Sequence, residues 1–151
     1  MDTEQQVQVI GQPPWLAMPA SGVPFNEVNY VALPAIGTEA NVIRFVVPDG
    51  MNGAIRWIGN NLVAGGWVEG SGTVVFRIEA DSVAIRNHEN IISSLGNPAA
   101  PSETAPIRVH EGQVITLIVR NVSLIVAGQL CGGRLSGYFY SKEDEAEGVW
   151  L

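Results

Sequence analysis

His88 and His110 are the only histidines of the chain and Cys131 is its only cysteine, so imidazole or thiolate chemistry would have to run on these three residues. Neither histidine has a partner at HxH, HxxxH or HxxE spacing, the arrangements that aim two ligands at one metal. His88 sits in Arg86-Asn87-His88-Glu89-Asn90, a polar run that reads as a loop. A lone cysteine allows no intrachain disulfide and fits a reducing compartment. Flanked by Leu130 and Gly132-Gly133, Cys131 reads as a small buried hydrophobe. Ser71, Ser93, Ser94 and Ser136 lie in no GxSxG elbow. The Gly65-Gly66 and Gly132-Gly133 pairs lack the GK[ST] continuation and following helix of a phosphate cradle. Glu69, Glu79 and Asp81 are the central carboxylates, and paired acids can cleave glycosides, but nothing in their spacing selects them from any other acids. No catalytic set, metal site or cofactor is expected. One aromatic is worth singling out for ligand chemistry: Trp67 follows Gly65-Gly66 in an expected loop, where an exposed indole can stack on a sugar ring.

Composition sets the frame for these residues. A chain of 151 residues has the size of one domain, and 46% hydrophobic against 15% charged residues supply a core without disulfides or structural metal. A net charge of −7 argues against affinity for nucleic acid or anionic lipid. Much of that acidity falls late, at Glu143, Asp144, Glu145 and Glu147. The first residues, Met-Asp-Thr-Glu-Gln-Gln, lack the basic and apolar regions of a secretory signal, so the sequon at Asn121 is read as chance. The uncharged Asn121–Gly133 stretch is too short to span a bilayer, and an earlier one is broken by Pro13, Pro14, Pro19 and Pro24.

Residues 1–28 are rich in Gln, Pro and Gly and read as an extended arm carrying Trp15, Leu16, Met18 and Phe25 as apolar anchors. Residues 29–140 read as a β-sandwich. Short Val, Ile, Phe, Tyr and Trp runs, separated by turn residues such as Pro48-Asp49-Gly50 and Glu111-Gly112, predict strands near 29–36, 41–47, 53–60, 73–79, 83–86, 107–110, 113–121 and 127–140. Gly96–Pro106 is long and proline-rich, as a Greek-key crossover between two sheets would be. About eight strands so divided predict an all-β, jelly-roll-like antiparallel sandwich. Residues 141–151 read as an acidic tail ending in the apolar pair Trp150-Leu151, either a docking peptide on a charged tether or a segment that packs back onto the body.

Period-two reading assigns Ile43, Phe45, Val47, Ile55, Trp57, Val74, Phe76, Ile78, Ile115, Leu117, Val119, Leu135, Gly137 and Phe139 to the core. The opposite faces then carry Val42, Val46, Ile58, Val75, Val114, Ile118 and Tyr138, too many apolar groups for a wet sheet face. The arm or another subunit is expected to cover part of them, which makes Ile58, Val75 and Tyr138 interface candidates together with Trp15, Leu16, Met18, Phe25, Trp150 and Leu151.

Val47-Pro48-Asp49-Gly50, Glu111-Gly112-Gln113, Val119-Arg120-Asn121 and the closing Gly133-Arg134-Leu135-Ser136-Gly137-Tyr138-Phe139-Tyr140 resemble the small β-sandwich virion proteins of tailed bacteriophages, among them capsid decoration (cement) and neck or tail accessory proteins. The resemblance covers about two-thirds of the chain, Phe45 to Tyr140, and holds no catalytic signature. It implies a non-enzymatic subunit, expected to form a homotrimer, that assembles in the host cytoplasm and grips the major capsid protein or another virion protein with extended termini. The alternative is a lectin-like module using Trp67.

Overall fold

The computed structural model describes residues 12–63, 67–124 and 129–146, so Trp150 and Leu151 lie outside the described residues. Eight strands, β1 (Val23–Ala32), β2 (Glu39–Val46), β3 (Met51–Leu62), β4 (Val74–Ala80), β5 (Val83–Ala84), β6 (Ser102–Val109), β7 (Val114–Asn121) and β8 (Leu130–Ser141), precede one short helix, α1 (Lys142–Ala146). They form two four-stranded antiparallel sheets ordered β1-β8-β3-β6 and β2-β7-β4-β5. Every connection passes from one sheet to the other except the β4–β5 hairpin, whose Asp81 and Ser82 both have positive φ, as a two-residue type I′ turn demands. This interleaving is the jelly roll.

Between the sheets lie Val42, Ile43, Val47, Ile55, Ile58, Phe76, Ile78, Ile115, Leu117 and Leu135, all buried. Close approach of the central strands requires small residues: a Cβ on Gly137 would lie 2.0 Å from the Ala54 carbonyl oxygen. The Asn97–Pro101 turn closes the crossover, and β6 begins at Ser102, earlier than proline content suggests. Pro106 fits because β6 is an edge strand with one side free of ladder bonds.

Two bulges correct the period-two reading. The β3–β8 ladder shifts between Ile55 and Trp57, leaving Arg56 as the extra residue, whereas against β6 the extra residues, 104–106, lie on β6. One added residue reverses every later side chain. Ile58, expected on the outer face, is therefore fully buried, while Trp57, expected in the core, is 41% exposed. A second shift between Asn41 and Ile43 lets both Val42 and Ile43 face inward.

The arm is shorter than its composition implies. Val23 to Val28 belong to β1, paired with β8 from Val23–Phe139 to Ala32–Leu130. Phe25 is thus a member of the sandwich, its ring stacked on Phe139 at 4.4 Å and 5.2 Å from Phe45. The tail is likewise partly structural: α1 follows β8 directly, anchored by the Lys142 N–H donating to Gly50 O at 3.1 Å.

Candidate interaction surfaces

The outer face of the first sheet is covered in part by the chain itself. Residues 13–17 make a turn, with Leu16 N–H donating to Pro13 O at 2.9 Å, that lays Trp15 over Ala54 and Tyr138. Arg108 closes the stack, its guanidinium 3.6 Å from the centre of the Trp15 ring. Such a contact contributes about 0.5–1 kcal/mol at a partly exposed position. Trp15 and Tyr138, 8% and 4% exposed, are therefore packed against each other and not presented to a partner. Leu16 and Met18, from the same arm, remain exposed.

Beside that cover runs a cleft of about 350 Å³ lined by Met18, Pro24, Asn26, Arg56, Trp57, Arg134, Ser136 and Tyr138. The β3 bulge builds it, because it turns Trp57 outward opposite Ser136 of β8 and Glu103 of β6. Arg56 donates to Leu16 O at 2.9 Å and to Glu103 at 3.0 Å, tying the arm to the cleft wall. Arg134 donates to Pro98 O at 2.9 Å. Arg134 Nε and Ser136 Oγ are buried without a hydrogen-bonding partner. Burial raises the Tyr138 phenol, and hydrogen bonding with the neighbouring Arg56 guanidinium opposes the rise. Trp67, the residue singled out for sugar stacking, packs instead against the core with its ring 5.6 Å from Phe76. The two tryptophans have exchanged their expected roles: the bulge, which has no residue signature, turns Trp57 outward, and contact with Phe76 holds Trp67 against the core.

One end of the sandwich gathers the 33–38 loop, Val63 after β3, the 85–101 crossover and residues 122–124 after β7. Two fully buried asparagines organise it. Asn121 Nδ2 donates to Pro34 O and Leu124 O at 3.0 and 2.8 Å, and its Oδ1 accepts from Leu124 N–H. Asn60 holds the crossover through Ser93 O at 3.1 Å and Leu95 N–H at 2.7 Å. With the polar groups turned inward on these amides, the loops present Ile36, Val63, Val68, Val122 and Leu130 to solvent, Val68 at 65%. The opposite end is ionic: Lys142 pairs with Glu111 at 2.9 Å, and Asp81 accepts from Val114 N–H at 2.9 Å.

The outer face of the second sheet is also ionic. Arg77 pairs with Glu79 at 2.8 Å and reaches across β7 to Glu39, at the level of Ile118, which is buried although it points away from the core. Val75, the interface candidate here, is half-buried opposite Arg120 on the next strand and forms no apolar patch.

The residues with chemical potential are occupied structurally. Glu69 accepts from Ser94 N–H at 3.2 Å, while Glu79 and Asp81 hold the bonds just described. Cys131 is buried in the core, which pushes its thiol up to about 11. Among the described residues no three His, Cys, Asp or Glu side chains gather as a metal site, and no helix is long and apolar enough to cross a membrane. Fold and surfaces together define a jelly-roll domain with a self-covered sheet face, one apolar end and one ionic end. No family model matches the chain, and no curated protein matches its sequence.

Proposed function

We propose that this chain is a structural virion subunit, a capsid decoration or cement protein that associates with copies of itself and seats on the shell. The observation that carries the reading is the apolar loop end formed by Ile36, Val63, Val68, Val122 and Leu130. Three separate connections bring large aliphatic groups to one end, where Asn60 and Asn121 take up neighbouring backbone polar atoms. An apolar surface built this way is held in place, and contiguous exposed apolar surface marks an interaction site. The resemblance of the closing strand and the EGQ turn to virion accessory proteins supports the same reading.

Light scattering on the full chain tests it. The expected mass is that of a homotrimer of 16.1 kDa chains, and Val68→Asp with Leu130→Glu should shift it to monomer while the melting curve stays close to wild type, since both side chains are exposed. Co-sedimentation with tailless shells then separates a decoration protein from a neck or tail protein. A stable monomer that binds no assembled particle would overturn the proposal.

A further inference from the structure

We propose that the cleft between the arm and the outer face of the first sheet binds an acidic saccharide, with the sugar ring stacked on Trp57 and its carboxylate on Arg134. The inference is independent of the subunit reading, because the cleft lies on a sheet face and not at the loop end.

Three observations converge on that ligand. The first is the platform: Trp57 is exposed on a central strand, and a ring held on a sheet presents its π face with little freedom to lose on binding. The second is charge. Only eight Lys and Arg residues serve the whole chain, yet Arg56 and Arg134 both line this cleft, with Glu103 the carboxylate beside it. Glu103 compensates Arg56 at 3.0 Å, whereas Arg134 has a neutral carbonyl as its partner. One uncompensated cation suits one carboxylate, and the net charge of −7 disfavours a polyanion. The third is the pair of unmet groups, Arg134 Nε and Ser136 Oγ. A buried polar group left without a partner is destabilising. Sugar hydroxyls both donate and accept, so they can meet an N–H donor and a hydroxyl together, which an apolar ligand cannot. Both groups belong to residues that line the cleft. A volume of about 350 Å³ fits one or two sugar rings.

The test is NMR titration of the full chain, following the Trp57 indole N–H assigned by its loss in Trp57→Ala. The probes are methyl galacturonide and 3′-sialyllactose, with methyl galactoside and lactose as neutral counterparts. Expected is movement of the Trp57 signal with at least one acidic probe at about millimolar concentration, and binding about tenfold weaker or worse for its neutral counterpart. Trp57→Ala and Arg134→Gln should each weaken binding at least about tenfold, and Arg134→Lys, which keeps the charge, should restore part of it. The two acidic probes distinguish uronate from sialate recognition. No movement with any probe, or equal response to neutral and acidic sugars, would overturn the proposal. So would conversion of an oligomer to monomer by Trp57→Ala, which would show that protein, not sugar, covers the ring.

Discussion

Single residues carry the polar logic of this protein, and Glu145 shows it most directly. Its carboxylate, on α1, accepts from Asn52 Nδ2 at 2.7 Å and the Tyr140 hydroxyl at 2.9 Å and pairs with Arg108, the same residue that caps Trp15. Burial alone would raise the Glu145 carboxyl, but the bonds from Arg108, Asn52 and Tyr140 outweigh it and hold the group below the ordinary carboxylate range. A depressed folded-state value means that the contribution is complete above the unfolded value, about 4.3, and is lost as pH falls through the folded one. Wild type should therefore lose more melting temperature than Glu145→Gln between about pH 6 and about pH 3, since glutamine has no proton to gain. Calorimetry at both pH values checks this, and parallel losses in the two proteins would show that Glu145 contributes nothing. None of this was legible beforehand: the acidic cluster at 143–147 reads as a solvated tether, and which of its acids turns back depends on a helix of a single turn that brings Glu145 over Asn52.

At the scale of elements, alternation exposed the strands and bulges hid their faces. Strands β2, β4, β7 and β8 are central or well patterned, and their inward residues Ile43, Phe76, Ile78, Ile115, Leu117 and Leu135 follow period two as read. The strand expected near 29–36 captures only the second half of β1, and its first half escaped because β1 is an edge. Paired only with β8, it tolerates Pro24, and the exposed Glu27, in register with the core residue Leu135, breaks the apolar rhythm at an inward position. The second half of β3 escaped because parity changes at Arg56, a residue whose type does not announce a bulge. Deletion of Arg56 isolates this effect. It would leave Ile55, Trp57 and Ile58 opposite Gly137, Ser136 and Leu135 with no extra residue between them, so Trp57 stays outward and Ile58 stays buried. The expected cost in chemical denaturation is therefore small and close to that of Arg56→Ala, which loses the same bonds to Leu16 and Glu103 and keeps the residue count. A loss of more than about 3 kcal/mol for the deletion alone would mean that the faces of Trp57 and Ile58 are not set by the extra residue.

The whole molecule is polar in the directional sense, and that asymmetry selects between two ways of assembling. At one end the crossing loops show Ile36, Val63, Val68, Val122 and Leu130; at the other stand the Lys142–Glu111 pair and the Asp81 turn. Along the second sheet, Glu39, Arg77 and Glu79 form an ion-paired face. Association through the ionic surfaces would weaken as salt screens them, because the Debye length falls from about 10 Å at 0.1 M to about 3 Å at 1 M. Association through the apolar end would not, and an excluded salt such as sulfate strengthens apolar burial. Sedimentation across that range should thus find the oligomer unchanged in chloride and tightened in sulfate, with Leu130→Glu dissociated under both conditions. Dissociation of the wild-type oligomer by chloride alone would move the interface to the charged end or sheet face. Because Trp57 and Arg134 lie on the outer face of the first sheet, such a result would leave the cleft's ligand to be decided by its own titration.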